Sequence, residues 1–157
     1  RARTSGGVRM TGGDELSGAV QPGRGLGSEL LQDPVVAERF EAIAGFAVVP
    51  GTLNVRLPGP LARDGRWRYV AAEAIGPDWR ERTGQTGYHL LDVLVARRFR
   101  AVAFQPDEPD GLGYPPDQIE LLSDTHLCSA LGLADGDPIE ITAVGNPGTG
   151  PPRPAPV

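Results

Sequence analysis

The chain has 157 residues, which suits one domain with a sizeable hydrophobic core. Its net charge of −5 argues against a nucleic-acid-binding protein, because such proteins need a basic face. The sequence contains no lysine, and this excludes P-loop enzymes and protein kinases, both of which place a lysine on the nucleotide phosphates.

The two ends of the chain differ in composition from its middle. Residues 1–14 are small, polar and glycine-rich, and we expect them to be disordered. They contain no apolar stretch of the kind found in signal peptides, so we expect a cytoplasmic protein. Residues 145–157 are rich in Gly and Pro, which predicts a flexible tail. The predicted folded domain is therefore 15–144.

A predicted strand at 16–21 leads into a glycine-rich loop, Gly23-Arg24-Gly25-Leu26-Gly27. Alternating glycines let successive backbone N–H groups approach an anion without interference from side chains. Arg24 is a candidate clamp for a phosphate within this loop. A simple flexible turn is the alternative, since the chain contains 22 glycines.

The next motif is a turn followed by a strand, Pro50-Gly51-Thr52-Leu53-Asn54-Val55-Arg56-Leu57. Pro-Gly predicts the turn, and the alternation of apolar and polar residues predicts a half-buried strand over 53–57. Thr52 and Asn54 share one face of such a strand, so a hydroxyl and an amide oxygen lie side by side. Neutral oxygen ligands beside phosphates suit Mg²⁺. An ordinary strand with polar residues facing water is the alternative.

The other elements follow from capping residues and from the period of the apolar positions. Asp33 and Pro34 predict the start of a helix that Gly45 ends. A second helix is predicted over 127–131, with Asp124 or Thr125 as its N-cap. Further strands are predicted at 67–72, 88–95, 99–105, 119–122 and 138–144, with a polar connection at 77–87 and a loop at 106–116. About six strands and two short helices indicate an all-β fold in the form of a small barrel.

These pieces, in this order, resemble the archaeal-type CTP-dependent riboflavin kinases. The resemblance covers nearly all of 18–144, and its most specific part is Gly45-Phe46 followed by Pro50-Gly51-Thr52-Leu53-Asn54. The glycine-rich loop, the strand at 119–122 and the turn at 131–137 also match. The resemblance implies a six-stranded β-barrel of the cradle-loop type that transfers the γ-phosphate of CTP to the 5′-hydroxyl of riboflavin, forming FMN.

The resemblance also implies roles for individual residues. Gly23, Gly25 and Gly27, with Arg24 and Leu26 between them, would bind the nucleotide. Thr52 and Asn54 would hold Mg²⁺ between phosphates. A flavin needs a flat apolar slot, to which Tyr114 or Phe46 could contribute. Glu120 is the candidate catalytic base for the substrate hydroxyl, although a solvent-facing glutamate on a strand is the alternative.

Two other classes of function stay open from the sequence. The first is a non-catalytic barrel that binds a flavin or a nucleotide, or that serves as an interaction module. The second is a DNA-binding barrel, which the excess of acidic residues opposes. No apolar run approaches the roughly 20 residues of a membrane span, so we expect neither a membrane nor a nucleic acid as partner.

Overall fold

Seven antiparallel strands form one sheet in the computed structural model, which describes residues 15–22, 31–107 and 115–145. Six of them close a barrel in the order β4-β5-β6-β2-β1-β7, because β7 also pairs with β4. β3 pairs with the first half of β4 and lies outside the ring. The strands are β1 (Glu15–Gln21), β2 (Leu53–Arg56), β3 (Arg68–Ala71), β4 (Gly87–Val95), β5 (Phe99–Pro106), β6 (Gln118–Ser123) and β7 (Pro138–Ala143). The predicted all-β fold with a six-stranded barrel is confirmed, and β3, which corresponds to the predicted strand at 67–72, lies outside that barrel.

Four helices occur within the described ranges: α1 (Pro34–Ala44), α2 (Ala72–Ile75), α3 (Trp79–Thr83) and α4 (Leu127–Leu131). The predicted caps of α1 are confirmed. Asp33 accepts a hydrogen bond from the backbone N–H of Val35 at 3.0 Å, and Gly45 ends the helix with a φ of 85°. None of these helices combines the length and the apolar character that a membrane span requires.

Three details of the predicted secondary structure were wrong. Helix α2 was not predicted, and it forms where Ala72 and Ile75 are buried, 0% and 1% exposed. The polar connection at 77–87 contains α3, because Trp79 is only 2% exposed and anchors the segment in the core. The N-cap of α4 is His126 rather than Asp124 or Thr125. Its ring Nδ1 accepts a hydrogen bond from the backbone N–H of Ser129 at 3.3 Å. The predicted disordered segment at 1–14 and all of the predicted tail beyond Gly145 lie outside the described residues.

The inside of the barrel is filled by aliphatic side chains. Alternate residues of each strand point inward, and Val55, Val95 and Ile141 have no exposed surface. Residues of this kind from β1, β2, β4, β5, β6 and β7 form one continuous cluster. The lumen is therefore a packed core, and the strand side chains that alternate with these residues face outward.

A second apolar cluster covers part of that outer face. Helix α1 packs across it through Phe40, whose ring centroid lies 5.8 Å from that of Trp79 and 6.5 Å from that of Phe104. Arg68 holds the end of α1 against the sheet, because its guanidinium donates to the Ile43 carbonyl at 2.9 Å and pairs with Asp92 at 2.9 Å. The outer face of β4, β5 and the end of β6 is thus closed by a helix.

Tyr88, which lies in this second cluster, should make the fold less stable as the pH rises in the alkaline range. Burial raises its pKa to about 12, and the negative charge of Glu120 acts in the same direction. Because the pKa is higher in the folded state, the contribution of Tyr88 is fully present below pH 10 and is lost as the pH rises toward 12. We expect the free energy of unfolding to fall by about 1.4 kcal/mol between pH 9 and pH 11 from this residue, since that figure corresponds to one pKa unit.

Urea unfolding of the wild type and of Tyr88→Phe at pH 9, 10 and 11 would check this expectation. The variant also loses the hydrogen bond from Trp79 Nε1 to the Tyr88 hydroxyl at 3.1 Å, so its stability at pH 9 should be lower. Its slope against pH should nevertheless be shallower. Tyr69→Phe is the matched control, because Tyr69 is 42% exposed. Equal slopes for wild type and Tyr88→Phe would contradict the prediction.

Candidate functional site

The outer faces of β2 and β6 carry a polar cluster formed by Thr52, Asn54, Gln118 and Glu120. Asn54 pairs directly with Glu120 across the two antiparallel strands. Because residues two apart share a face of a strand, Thr52 lies beside Asn54 and Gln118 lies beside Glu120. The intervening residues of both strands point into the barrel. The alternation predicted from the sequence therefore places both metal-ligand candidates on one outward face.

Thr52 and Glu120 are in direct contact. The Thr52 hydroxyl donates a hydrogen bond to Glu120 Oε1 at 3.0 Å. With its proton directed to the carboxylate, the hydroxyl oxygen keeps its lone pairs for another partner. The structure thus brings together one predicted metal ligand and the predicted base, although 68 positions separate them in the chain.

Asn54 is held in place by a residue that sequence reasoning missed. Its side chain is only 7% exposed, and its Oδ1 accepts a hydrogen bond from Gln118 Nε2 at 2.9 Å. Gln118 lies one residue before the predicted strand at 119–122, whereas β6 begins at Gln118. Had the predicted strand begun one residue earlier, the face that it shares with Glu120 could have indicated this residue. The polar cluster therefore contains two hydrogen-bonded pairs, Thr52–Glu120 and Asn54–Gln118.

The donor atoms of the polar cluster fit a hard divalent cation. A hydroxyl oxygen, an amide oxygen and a carboxylate are the ligand types that Mg²⁺ accepts together with water and phosphate. A larger metal cluster is not seen in the described ranges, where no three His, Cys, Asp or Glu side chains are grouped closely enough to hold a metal ion.

The predicted nucleotide-binding residues Gly23, Arg24, Gly25, Leu26 and Gly27 lie outside the described residues. The residues that flank them are described. Gln21 pairs with Asn54, so the chain leaves β1 directly beside the polar cluster. Leu31 is buried in the second apolar cluster on the same outer face. Both attachment points of the glycine-rich segment therefore lie on the side of the barrel that carries the polar cluster.

Only one of the two predicted flavin contacts, Phe46, lies within the described residues. Tyr114 lies outside the described residues. Phe46 lies in the second apolar cluster, 9% exposed, with the Arg100 guanidinium 4.9 Å from its ring centroid. Phe46 follows the end of α1 and precedes Val49. The backbone N–H of Val49 donates a hydrogen bond to the Ser123 carbonyl at the end of β6. The role of Phe46 toward a flavin stays a prediction.

A cleft opens on the other side of Thr52. It lies between the turn before β2 and the junction of β6 with α4, and its walls combine aliphatic side chains with hydroxyl and imidazole groups. The lining residues are Val49, Gly51, Thr52, Leu53, Leu121, Ser123, Thr125, His126, Leu127 and Cys128. Burial raises the pKa of the Cys128 thiol, and the charge of Asp135 adds to this effect. Sequence reasoning did not assign His126 or Thr125 to a site.

Comparison with known families gives one match that covers most of the chain. Residues 20–143 match the family model of the CTP-dependent riboflavin kinase domain, which is described as a domain of unknown function, DUF120. The matched range contains the whole polar cluster, the strands β2 to β7 and the last two residues of β1. It also lies within the predicted domain at 15–144.

Curated archaeal proteins named riboflavin kinase also match most of the chain. The protein from Methanocella arvoryzae is 32% identical over 131 residues, which cover 83% of this chain and 58% of that protein. The protein from Methanospirillum hungatei is 35% identical over 128 residues, covering 80% and 56%, respectively. The protein from Methanosarcina acetivorans is 35% identical over 127 residues, covering 80% and 52%. The chain thus spans little more than half the length of the curated relatives it matches.

Proposed function

The chain belongs to the CTP-dependent riboflavin kinase family, and from this premise we propose that it transfers the γ-phosphate of CTP to the 5′-hydroxyl of riboflavin, forming FMN. The observation that carries the proposal is the contact between Thr52 and Glu120, with Asn54 paired to the same glutamate. A phosphoryl transferase needs groups that position phosphates and a group that accepts the hydroxyl proton. The polar cluster supplies both on one face of the barrel.

We assign Thr52 and Asn54 as the ligands of Mg²⁺. The hydroxyl of Thr52 and the amide oxygen of Asn54 supply two neutral oxygen ligands, which suits an ion that keeps several waters and phosphate oxygens. When bound, Mg²⁺ would neutralise negative charge on the phosphate oxygens of CTP. Because the Thr52 hydroxyl donates its proton to Glu120, the lone pairs of its oxygen would be available to hold such an ion.

Glu120 has a second role in the proposed reaction. Its carboxylate accepts the proton of the riboflavin 5′-hydroxyl while that oxygen forms a bond to the γ-phosphorus of CTP. The bond between the γ-phosphorus and the bridging oxygen breaks, and CDP leaves with the electron pair. Proton transfer of this kind contributes about 10²–10⁴-fold to the rate.

The substrates would lie on either side of the polar cluster. The glycine-rich segment, with Gly23, Arg24, Gly25, Leu26 and Gly27, would bind the phosphates of CTP through its backbone N–H groups and the Arg24 guanidinium. The cleft beside Thr52 would take the nucleoside, where Thr125 and His126 offer polar groups to a base. Phe46 and Tyr114 would contribute to the flavin slot.

The proposal is tested by incubating the purified protein with riboflavin, Mg²⁺ and each of the four ribonucleoside triphosphates in turn. Chromatography should detect FMN, with CTP as the best donor, and FMN should not form when EDTA replaces Mg²⁺. A separate titration calorimetry experiment would measure the binding of riboflavin and of CTP. Binding without any FMN would select the non-catalytic flavin- or nucleotide-binding barrel instead. The cytoplasmic location stays a prediction.

A further inference from the structure

The amide group of Asn54 is asymmetric, and its two ends have opposite chemistry. Only the oxygen can be a metal ligand, whereas the NH₂ group is a donor that repels a cation. In the structure Oδ1 accepts a hydrogen bond from Gln118 Nε2 at 2.9 Å. Because the Gln118 NH₂ group can only donate, this contact selects the orientation in which the Asn54 oxygen, not the nitrogen, faces Gln118.

The contact leaves one lone pair of Asn54 Oδ1 for a second partner. An amide oxygen has two lone pairs, and Gln118 uses one of them. The side chain of Asn54 is 7% exposed, so few water molecules compete to define its orientation. Turning the amide over would bring two NH₂ groups face to face and leave a buried donor without an acceptor.

The backbone that carries Gln118 is held in place by Gln105. The backbone carbonyl of Gln118 accepts a hydrogen bond at 3.2 Å from Nε2 of Gln105, a residue that is only 2% exposed, and the same NH₂ group donates to the Pro116 backbone carbonyl at 2.9 Å. Arg63 donates to Gln105 Oε1 at 2.6 Å. The segment before β6 is also tied to the end of β2, because the Leu57 N–H donates to the Asp117 carbonyl at 2.7 Å.

We propose that Gln118 is a positioning residue that keeps the amide oxygen of Asn54 available to the metal ion. The inference rests on the proposed function, in which Asn54 is a ligand of Mg²⁺. Partners that orient a metal ligand typically change metal affinity 10–100-fold when they are removed. Gln118 acts only through Asn54, so its effect must depend on the side chain at position 54.

That dependence provides the test. Gln118→Met keeps the length of the side chain but removes the donor. Asn54→Asp replaces the asymmetric amide with a carboxylate, whose two oxygens are equivalent, so orientation no longer matters. The experiment measures Mn²⁺ binding in the presence of CDP for the wild type, both single variants and the double variant. The readout is the paramagnetic broadening of the backbone amide signals of residues 52–54 in ¹⁵N-labelled protein.

We expect Gln118→Met to weaken Mn²⁺ binding about tenfold in the wild-type background. In the Asn54→Asp background the same change should alter binding less than about twofold, because the two sites are coupled. Gln85→Met is the matched control, since Gln85 is half-buried and its Oε1 has no hydrogen-bond partner among the residues that the structure describes. It should leave Mn²⁺ binding unchanged.

The outcomes separate this inference from the proposed function. If the wild type binds Mn²⁺ beside residues 52–54 and Gln118→Met binds equally well, the positioning role is refuted while the metal site stands. Equal losses in both backgrounds would refute it too, since they would indicate a general structural effect. If the wild type shows no broadening at these residues, the metal site of the proposed function fails, and the role of Gln118 fails with it. The amide spectra of all variants report on folding in the same samples.

Discussion

Thr52→Ala and Asn54→Ala should each lower kcat/KM for FMN formation by about 10²–10³-fold. Each change removes one of two protein ligands from the proposed Mg²⁺ site, and charge neutralisation by a metal ion is worth several kcal/mol in the transition state. A tenfold change in rate corresponds to about 1.4 kcal/mol, so the loss of one ligand falls in this range. The measurement is the initial rate of FMN formation across a series of Mg²⁺ concentrations.

The dependence on Mg²⁺ distinguishes a lost ligand from a damaged fold. Raising the Mg²⁺ concentration should restore part of the activity of both variants. Thr142→Ala is the matched control, because Thr142 lies half-buried on β7 and its hydroxyl has no hydrogen-bond partner within 15–22, 31–107 and 115–145. It should keep wild-type activity. If Thr52→Ala and Asn54→Ala also keep full activity with an unchanged Mg²⁺ requirement, residues 52 and 54 do not hold the ion.

Glu120→Gln should lower kcat by about 10²–10⁴-fold, which is the usual contribution of a general base. The glutamine oxygen can still accept the hydrogen bond from Thr52, so the metal ligands should stay in place. The amide cannot take up the proton of the riboflavin hydroxyl. We therefore expect a loss in kcat with little change in the Mg²⁺ requirement, measured in the same FMN assay.

A glutamate elsewhere on the outer face provides the control for Glu120. Glu140 is an exposed residue of β7 whose carboxylate pairs with Arg97 at 3.5 Å, and Glu140→Gln should be as active as the wild type. If Glu120→Gln behaves in the same way, Glu120 is an ordinary strand residue. A raised Mg²⁺ requirement with unchanged kcat at saturating Mg²⁺ would instead assign Glu120 to the orientation of Thr52 alone.

Elements with local signals were predictable from the sequence. Both caps of α1 are short-range features, since Asp33 bonds the N–H two residues ahead and Gly45 adopts the left-handed backbone that ends the helix. The strand pair β4–β5 was also predicted, although its turn uses Ala96 and Arg97 at positive φ rather than glycine. Helix α3 was missed because its stability comes from the burial of Trp79 against α1, a contact that no local pattern encodes.

The site was predictable only in part, for a related physical reason. The period of two on β2 placed Thr52 and Asn54 on one face without any knowledge of the partner strand. Their partners depend on the register between β2 and β6, which pairs residues 64 and 68 positions apart. A shift of this register by one residue would turn Glu120 and Gln118 into the core. The alternation within a strand does not specify that register, so the Gln118 contact came from the structure.

The packed lumen of the barrel determines which substitutions this protein can tolerate during evolution. In the segment 52–55, Leu53 and Val55 pack into the barrel core, while Thr52 and Asn54, which alternate with them, face outward. Substitutions at the outward positions should alter the chemistry of the site without destabilising the barrel. A saturation library across 52–57 can be scored separately for soluble yield and for product. Substitutions at the inward positions should lower the soluble yield, and those at the outward positions, which alternate with them, should lower the amount of product.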